Sequence, residues 1–283
     1  AEGGDGGTAR TAAGEGGGVK PRIVAALSDT PNLIEPHTFR TTSAYAVTKA
    51  LYEPLIQLRL EQQADGMWVG EYGDHVGAGA ESFEVVETDD GLLGTFRLRQ
   101  DAMFPDGSPV TAHDYKYAFD RTLLAEHSYI TLLLPLIGIS SPDQIRVVDD
   151  YTLEVETDVK SPLFERFMTF QVFGAINQEE VEANATADDP WGAEYLTTNA
   201  AGPGPYVLES FEPDVEAVLV PSPNYWDAEN VANRGVTILN VPDPNQRALL
   251  VQSGEIDVAA GIPPRILSEL EGDDNVTTIS RPT

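Results

Sequence analysis

The segment from Thr95 to Arg121 restricts the possible folds of this chain more than any other. Thr95-Phe96-Arg97-Leu98-Arg99 alternates as a half-buried strand does. Asp106-Gly107 offers a turn in which φ can be positive, and Pro109 stiffens the approach to the next element. Thr111 can cap a helix, with Asp114 three residues on as the capping-box acid. Tyr115, Ala118, Phe119 and Leu123 then recur at helical spacing. A strand passed directly to a capped helix requires a body in which both kinds of element share a core.

The rest of the chain keeps the same mixed pattern. Short strands are expected at Arg22 to Leu27, Leu55 to Leu60, Ser82 to Thr88 and Thr95 to Arg99, the last two joined through Asp89-Asp90-Gly91. Arg146 to Thr157 reads as a hairpin, as do Tyr206 to Phe211 and Ala217 to Val220. Val236 to Val241 reads as a buried strand, and Ile256 to Ala259 as a last one. Helices are expected behind the cap Thr42-Ser43, over Pro162 to Phe170, and over Gln246 to Ser253, ended by Gly254. With no strict βαβ repeat, the fold class is α/β in the broad sense, a mixed α+β body.

Residues 1 to 18 contain no large apolar side chain, so a flexible tether is expected there, with an r.m.s. reach of roughly 25 Å. Its start at Ala1 fits either a mature, processed N-terminus or a boundary inside an ordinary tail. The longest apolar run, Ile130 to Ile139, is too short to cross a bilayer and is broken by Pro135.

Charge removes one class of partner. With 17 Lys and Arg against 46 Asp and Glu, the formal charge is −29, a field that repels phosphates, so no nucleic acid is expected to bind. Cysteine is absent, which excludes disulfides and thiolate metal sites. The four histidines His37, His75, His113 and His127 show no metal-binding spacing. No nucleophile elbow, phosphate loop or dinucleotide fingerprint occurs. Paired carboxylates discriminate nothing among so many acids, which leaves a carboxylate-based hydrolase unsupported and still open. One other feature stands out. Tyr45, Tyr52, Tyr129, Phe173, Tyr206, Tyr225 and Trp226 gather around loops that close strands, where either core packing or a ligand could employ them.

Three segments together resemble the peptide, oligopeptide and nickel solute-binding family of ABC importers. Phe104-Pro105-Asp106-Gly107-Ser108-Pro109-Val110-Thr111-Ala112-His113-Asp114, running on to Phe119-Asp120-Arg121, is similar to that family's turn-and-helix phrase. Gly202-Pro203-Gly204-Pro205-Tyr206, followed by Pro223-Asn224-Tyr225-Trp226, resembles its second signature, with Ser222-Pro223-Asn224 where Arg-Asn-Pro is usual. Ala248-Leu249-Leu250 to Ser253-Gly254-Glu255-Ile256-Asp257 resembles its third.

The resemblance implies a periplasmic binding protein-like lobe I, divided into a tether over 1–20, a main sheet from 21–50 and 184–283, and an inserted subdomain over 51–183. Family members continue past a segment like Asn275 to Thr283, so the second lobe is expected to be missing from this chain. The implied function is capture of a short peptide, or a related small solute, for an ABC permease in the membrane. No bond is made or broken and no cofactor is needed. An extracytoplasmic location is implied too, with lipid anchorage favoured. Ligand contacts are implied for Leu33, Ile34, Glu35, Pro36, Phe39 and Arg40 of the first long loop, for Tyr129 and Phe173, and for Gly202 and Tyr206. An oligosaccharide, nickel complex or opine as ligand stays open, as does a structural lipoprotein.

Overall fold

The computed structural model describes residues 22–29, 33–38, 41–63, 68–125 and 129–279, leaving out the side chains of Tyr72 and Tyr129. The expected tether, Phe39 and Arg40 lie outside the described residues. In chain order the elements begin with β1 (Ile23–Leu27), α1 (Thr42–Leu51), β2 (Ile56–Gln62), β3 (Trp68–Gly77), β4 (Ala80–Glu87) and β5 (Leu92–Leu98). They continue with α2 (Ala112–Leu124), β6 (Ile145–Asp149), β7 (Thr152–Glu156), α3 (Phe164–Met168), α4 (Gln178–Asn184) and α5 (Ala193–Leu196). The last are β8 (Tyr206–Glu212), β9 (Glu216–Pro221), β10 (Val236–Asn240), α6 (Pro244–Ser253), β11 (Val258–Ala259) and α7 (Pro264–Leu270).

The strands form three sheets: a five-stranded one in the order β11-β1-β10-β9-β8, the pair β2-β3, and a four-stranded one in the order β4-β5-β7-β6. In the first, β1 runs parallel to both β10 and β11, and the remaining pairs are antiparallel. Its strands come from residues 23–27 and 206–259, and those of the other two sheets come from residues 56–156. The mixed α/β class expected from the sequence is the observed one.

Helix α2 explains why these sheets form one body. Tyr115 and Phe119 pack with Phe96, Leu153, Phe164 and Phe173 in the core beneath the four-stranded sheet. Tyr117 and Ala118 pack instead with Val47, Leu51, Leu219 and Ile238 against the five-stranded sheet. A helix apolar on two faces has to be buried between layers. Its start is fixed as the sequence predicts: Thr111 donates from both its backbone N–H and its hydroxyl to Asp114 Oδ2 at 2.8 Å. Gly107, just upstream, has φ +89°, the left-handed region that glycine enters freely.

Several boundaries differ from expectation. The first helix is capped by Thr41, whose hydroxyl accepts from the Ala44 amide, and not by Thr42-Ser43. The helix expected over Pro162 to Phe170 is confined to Phe164–Met168, because Pro162 and the turn at Ser161 hold the chain out of helical pairing before it. β11 pairs only over Val258–Ala259. The strands expected at Ser82 and Thr95 begin two or three residues earlier. Strand β3 has no counterpart among the expected elements.

Candidate functional site

In open sheets with parallel strands, ligands gather where those strands end. Here that edge is formed by the loops after β1, β10 and β11, and buried arginines hold all three from behind.

The loop after β1 is fixed by Arg121 of α2, which reaches it across the molecule. Arg121 Nη1 donates to Glu35 Oε1 at 2.5 Å and to His37 Nδ1 at 2.6 Å, while Nε donates to the Trp191 carbonyl at 2.8 Å. The other Glu35 oxygen accepts from the His37 amide at 2.8 Å. His37 Nε2 lies 2.8 Å from the Val172 carbonyl. A carbonyl only accepts, so the ring proton sits on Nε2, leaving Nδ1 as the acceptor for Arg121. All three residues are 1% exposed. Burial, with the Arg121 charge beside it, depresses the His37 pKa to about 4. Burial works against ionised Glu35, but His37 and Arg121 together hold its carboxyl below the usual range. The loop is therefore pinned by a neutral imidazole and one compensated ion pair.

Arg247 of α6 serves the other two loops. Its Nη1 donates to the carbonyls of Val241 at 2.5 Å and Pro242 at 2.9 Å, and its Nη2 to that of Gly261 at 2.9 Å. One guanidinium thus ties the end of β10 to the end of β11.

The described residues named from the sequence fall in four places. Ile34, Glu35 and Pro36 are buried, and Leu33 is half-buried against the core of the four-stranded sheet. Phe173 is wholly enclosed, stacked on Phe119 at 4.7 Å between ring centroids. Tyr129 opens a short 3-10 turn, and its side chain lies outside the described residues. Gly202 and Tyr206 are brought together on the wall of a cavity of about 400 Å³, shared with Leu51, Asp106, Glu180 and Tyr195. The Tyr206 hydroxyl accepts from Asn233 Nδ2 at 2.9 Å.

Gly202 is required for close approach. A Cβ there would stand 2.2 Å from the Leu51 carbonyl oxygen and 2.5 Å from Tyr52 Cδ1. Gly202→Ala is accordingly expected to destabilise the protein by about 1–3 kcal/mol, since backbone on one side and a buried ring on the other cannot both yield. Thermal unfolding checks this, and an unchanged midpoint would mean that the crossing segment has room to shift.

A second buried constellation joins α1 to the β9–β10 connection. Glu53, 6% exposed, accepts at Oε2 from the Tyr225 hydroxyl at 3.1 Å. Its backbone carbonyl accepts from Tyr115 Oη at 3.3 Å and from the Ala175 amide at 3.3 Å. The Trp226 indole N–H favours the ionised carboxylate without completing a hydrogen bond of ordinary geometry. Arg99 lies 3.6 Å over the Trp226 ring. Burial dominates, and it pushes the Glu53 pKa up to about 7. The sequence singled out Tyr225 and Trp226 but not Glu53 or Arg247. An Arg in a chain so short of bases was the available signal for the latter.

The site is thus built on a layered α/β lobe whose parallel strand ends are braced from behind by two buried arginines. Residues 75–283 match the family described as bacterial extracellular solute-binding proteins, family 5 middle, and the chain belongs to that family. It is 29% identical over 268 residues to the probable D,D-dipeptide-binding periplasmic protein DdpA of Escherichia coli K12, covering 93% of this chain and 48% of that protein. It is 25% identical to the periplasmic murein peptide-binding protein MppA of the same organism, covering 90% of this chain and 46% of that one. In fold it resembles the E. coli murein tripeptide binding protein MppA, with a TM-score of 0.75 at 24% identity over 90% of this chain and 49% of that one. Haemophilus influenzae OppA complexed with RPPGFSPFR gives a TM-score of 0.74 at 24% identity over 89% of this chain and 48% of that one. The chain spans about half the length of the relatives it matches.

Proposed function

We propose that this chain forms the first lobe of an extracytoplasmic solute-binding protein that captures short peptides reversibly and delivers them to an ABC permease. The observation carrying this reading is the bracing of the β1 loop by Arg121, Glu35 and His37 at the C-terminal end of a parallel strand pair. A loop held rigidly from behind can present its backbone to an extended ligand without losing order on each binding event. Main-chain recognition of this kind gives affinity without demanding one peptide sequence. The peptide-binding relatives support the choice of ligand.

In this reading Leu33, Ile34, Glu35, Pro36 and Phe173 shape and support the ligand-facing loop, while Gly202 and Tyr206 border the crossover. Residues 51–183 act as a subdomain inserted into a main lobe made by 21–50 and 184–283. The ligand is enclosed by hinge closure against a second lobe outside this chain. Lipid anchorage to the outer face of the membrane is the attachment we favour. Catalysis plays no part.

The test is a thermal-shift titration of the full-length protein with trialanine, maltotriose and a nickel–histidine complex. Peptide at about 100 times its dissociation constant should stabilise the folded state by about 2.7 kcal/mol. A response to maltotriose or nickel alone, or hydrolysis of the peptide, would replace this reading.

A further inference from the structure

Between α1, β2 and α3 lies a groove of about 310 Å³ that shares no lining residue with the braced sheet edge. Two of its lining residues are unusual for this protein. The chain carries 46 acids against 17 Lys and Arg, so two basic side chains without acidic partners at one concavity stand out. Arg22, Arg59, Lys116, Lys160 and Arg265 are paired with acids, whereas Arg97, Arg99 and Arg234 form no salt bridge among the described residues but do not line this groove. Lys49 and Arg166 form no salt bridge among the described residues, and both line this one groove. In a chain of this charge, two cations left open at one concavity create a local field that attracts an anion.

The floor and walls narrow the kind of anion. Glu53 lies at the base, its carboxyl hydrogen-bonded by Tyr225 and buried enough to spend much of its time protonated at neutral pH. Burial lifts the Glu53 pKa to about 7, so this floor opposes an anion less than an ordinary carboxylate would and offers a hydrogen-bonding surface. Leu58 and Tyr45 supply apolar wall, with Tyr45 38% exposed. A fully hydrated inorganic ion gains nothing from such walls, whereas a carboxylate carried on an apolar body uses both features.

We infer that this groove binds a small apolar carboxylate, its anionic end between Lys49 and Arg166 and its body against Leu58 and Tyr45. The site does not depend on the peptide-capture reading, because it draws on no residue of the braced edge. It would make the protein responsive to a second solute.

The experiment titrates N-acetyl-phenylalanine and its uncharged amide, N-acetyl-phenylalaninamide, into the full-length protein at neutral pH and low salt, followed by calorimetry. The acid should bind at least about tenfold more tightly than the amide, a difference of about 1.4 kcal/mol. Lys49→Gln and Arg166→Gln should each weaken the acid about tenfold and leave the amide unchanged, a loss of about 1.4 kcal/mol apiece. Arg265→Gln, on α7 and already paired with Glu269, is the control and should change nothing. Lys49 is exposed and Arg166 half-buried, so both variants are expected to fold, which circular dichroism checks. Equal binding of acid and amide, indifference to both substitutions, or no binding of the acid at about 10 mM would overturn the assignment.

Discussion

Replacing Arg121 with methionine is expected to destabilise the protein by about 3–5 kcal/mol. Methionine fills much of the space but leaves the Glu35 carboxylate, 1% exposed, without its cation. It also removes the donors to His37 Nδ1 and to the Trp191 carbonyl. A buried charge stripped of its partner retains the full cost of desolvation. Arg121→Lys is expected to recover only part of the loss, since one ammonium cannot reproduce a planar fork reaching three acceptors. The double change Glu35→Leu with Arg121→Met should lie much closer to wild type, because no charge then remains buried. Urea denaturation at neutral pH reads all three. Amide exchange at Ile34, whose N–H donates to the Thr197 carbonyl at 2.9 Å, should accelerate in the single variant. A midpoint for Arg121→Met within experimental error of wild type would show that the clasp does not hold the loop.

The same residues show how far the sequence could be read. Helix α2 was legible in detail because its signals are local: Thr111 and Asp114 are three residues apart and close the cap themselves. The hairpins β6–β7 and β8–β9 were legible for the same reason, with alternation on each side of a short turn. Strand β3 was hidden by Gly70, Gly73 and Gly77, which carry no alternation, and by a register shift opposite Leu58 and Leu60. The Gly70 position is filled from the partner strand, since a Cβ there would meet Leu58 Cβ at 3.0 Å. The clasp was beyond local reading altogether. Glu35 and Arg121 are 86 residues apart, and Glu53 and Tyr225 are 172 apart. The family resemblance brought in the loop holding Glu35 and the phrase ending in Arg121. Nothing in either segment shows that they join beneath the surface.

Glu53 and His37 titrate in opposite senses, and Glu53→Gln separates them. The pKa of His37 falls from 6.5 unfolded to about 4 folded, so the native state binds fewer protons than the unfolded chain over that interval. Its contribution is complete above pH 6.5 and is lost as pH drops toward 4. Glu35, also held low, adds to the loss in acid. Glu53 behaves in reverse: its pKa rises from 4.5 to about 7 on folding, so its contribution is complete below pH 4.5 and is lost as pH climbs through 7. In the wild type the two slopes largely offset each other between pH 4.5 and 6.5. Glutamine keeps the neutral shape of a protonated Glu53 at every pH, so only the slopes of His37 and Glu35 remain. The stability of Glu53→Gln should therefore rise relative to wild type by about 3 kcal/mol between pH 4.5 and about 7. The variant is worst placed in acid and best placed above neutrality. Unfolding free energies of the two proteins across that interval decide the matter: parallel curves would mean that Glu53 ionises at its ordinary pKa, and that the Tyr225 hydroxyl donates to a carboxylate that is charged throughout.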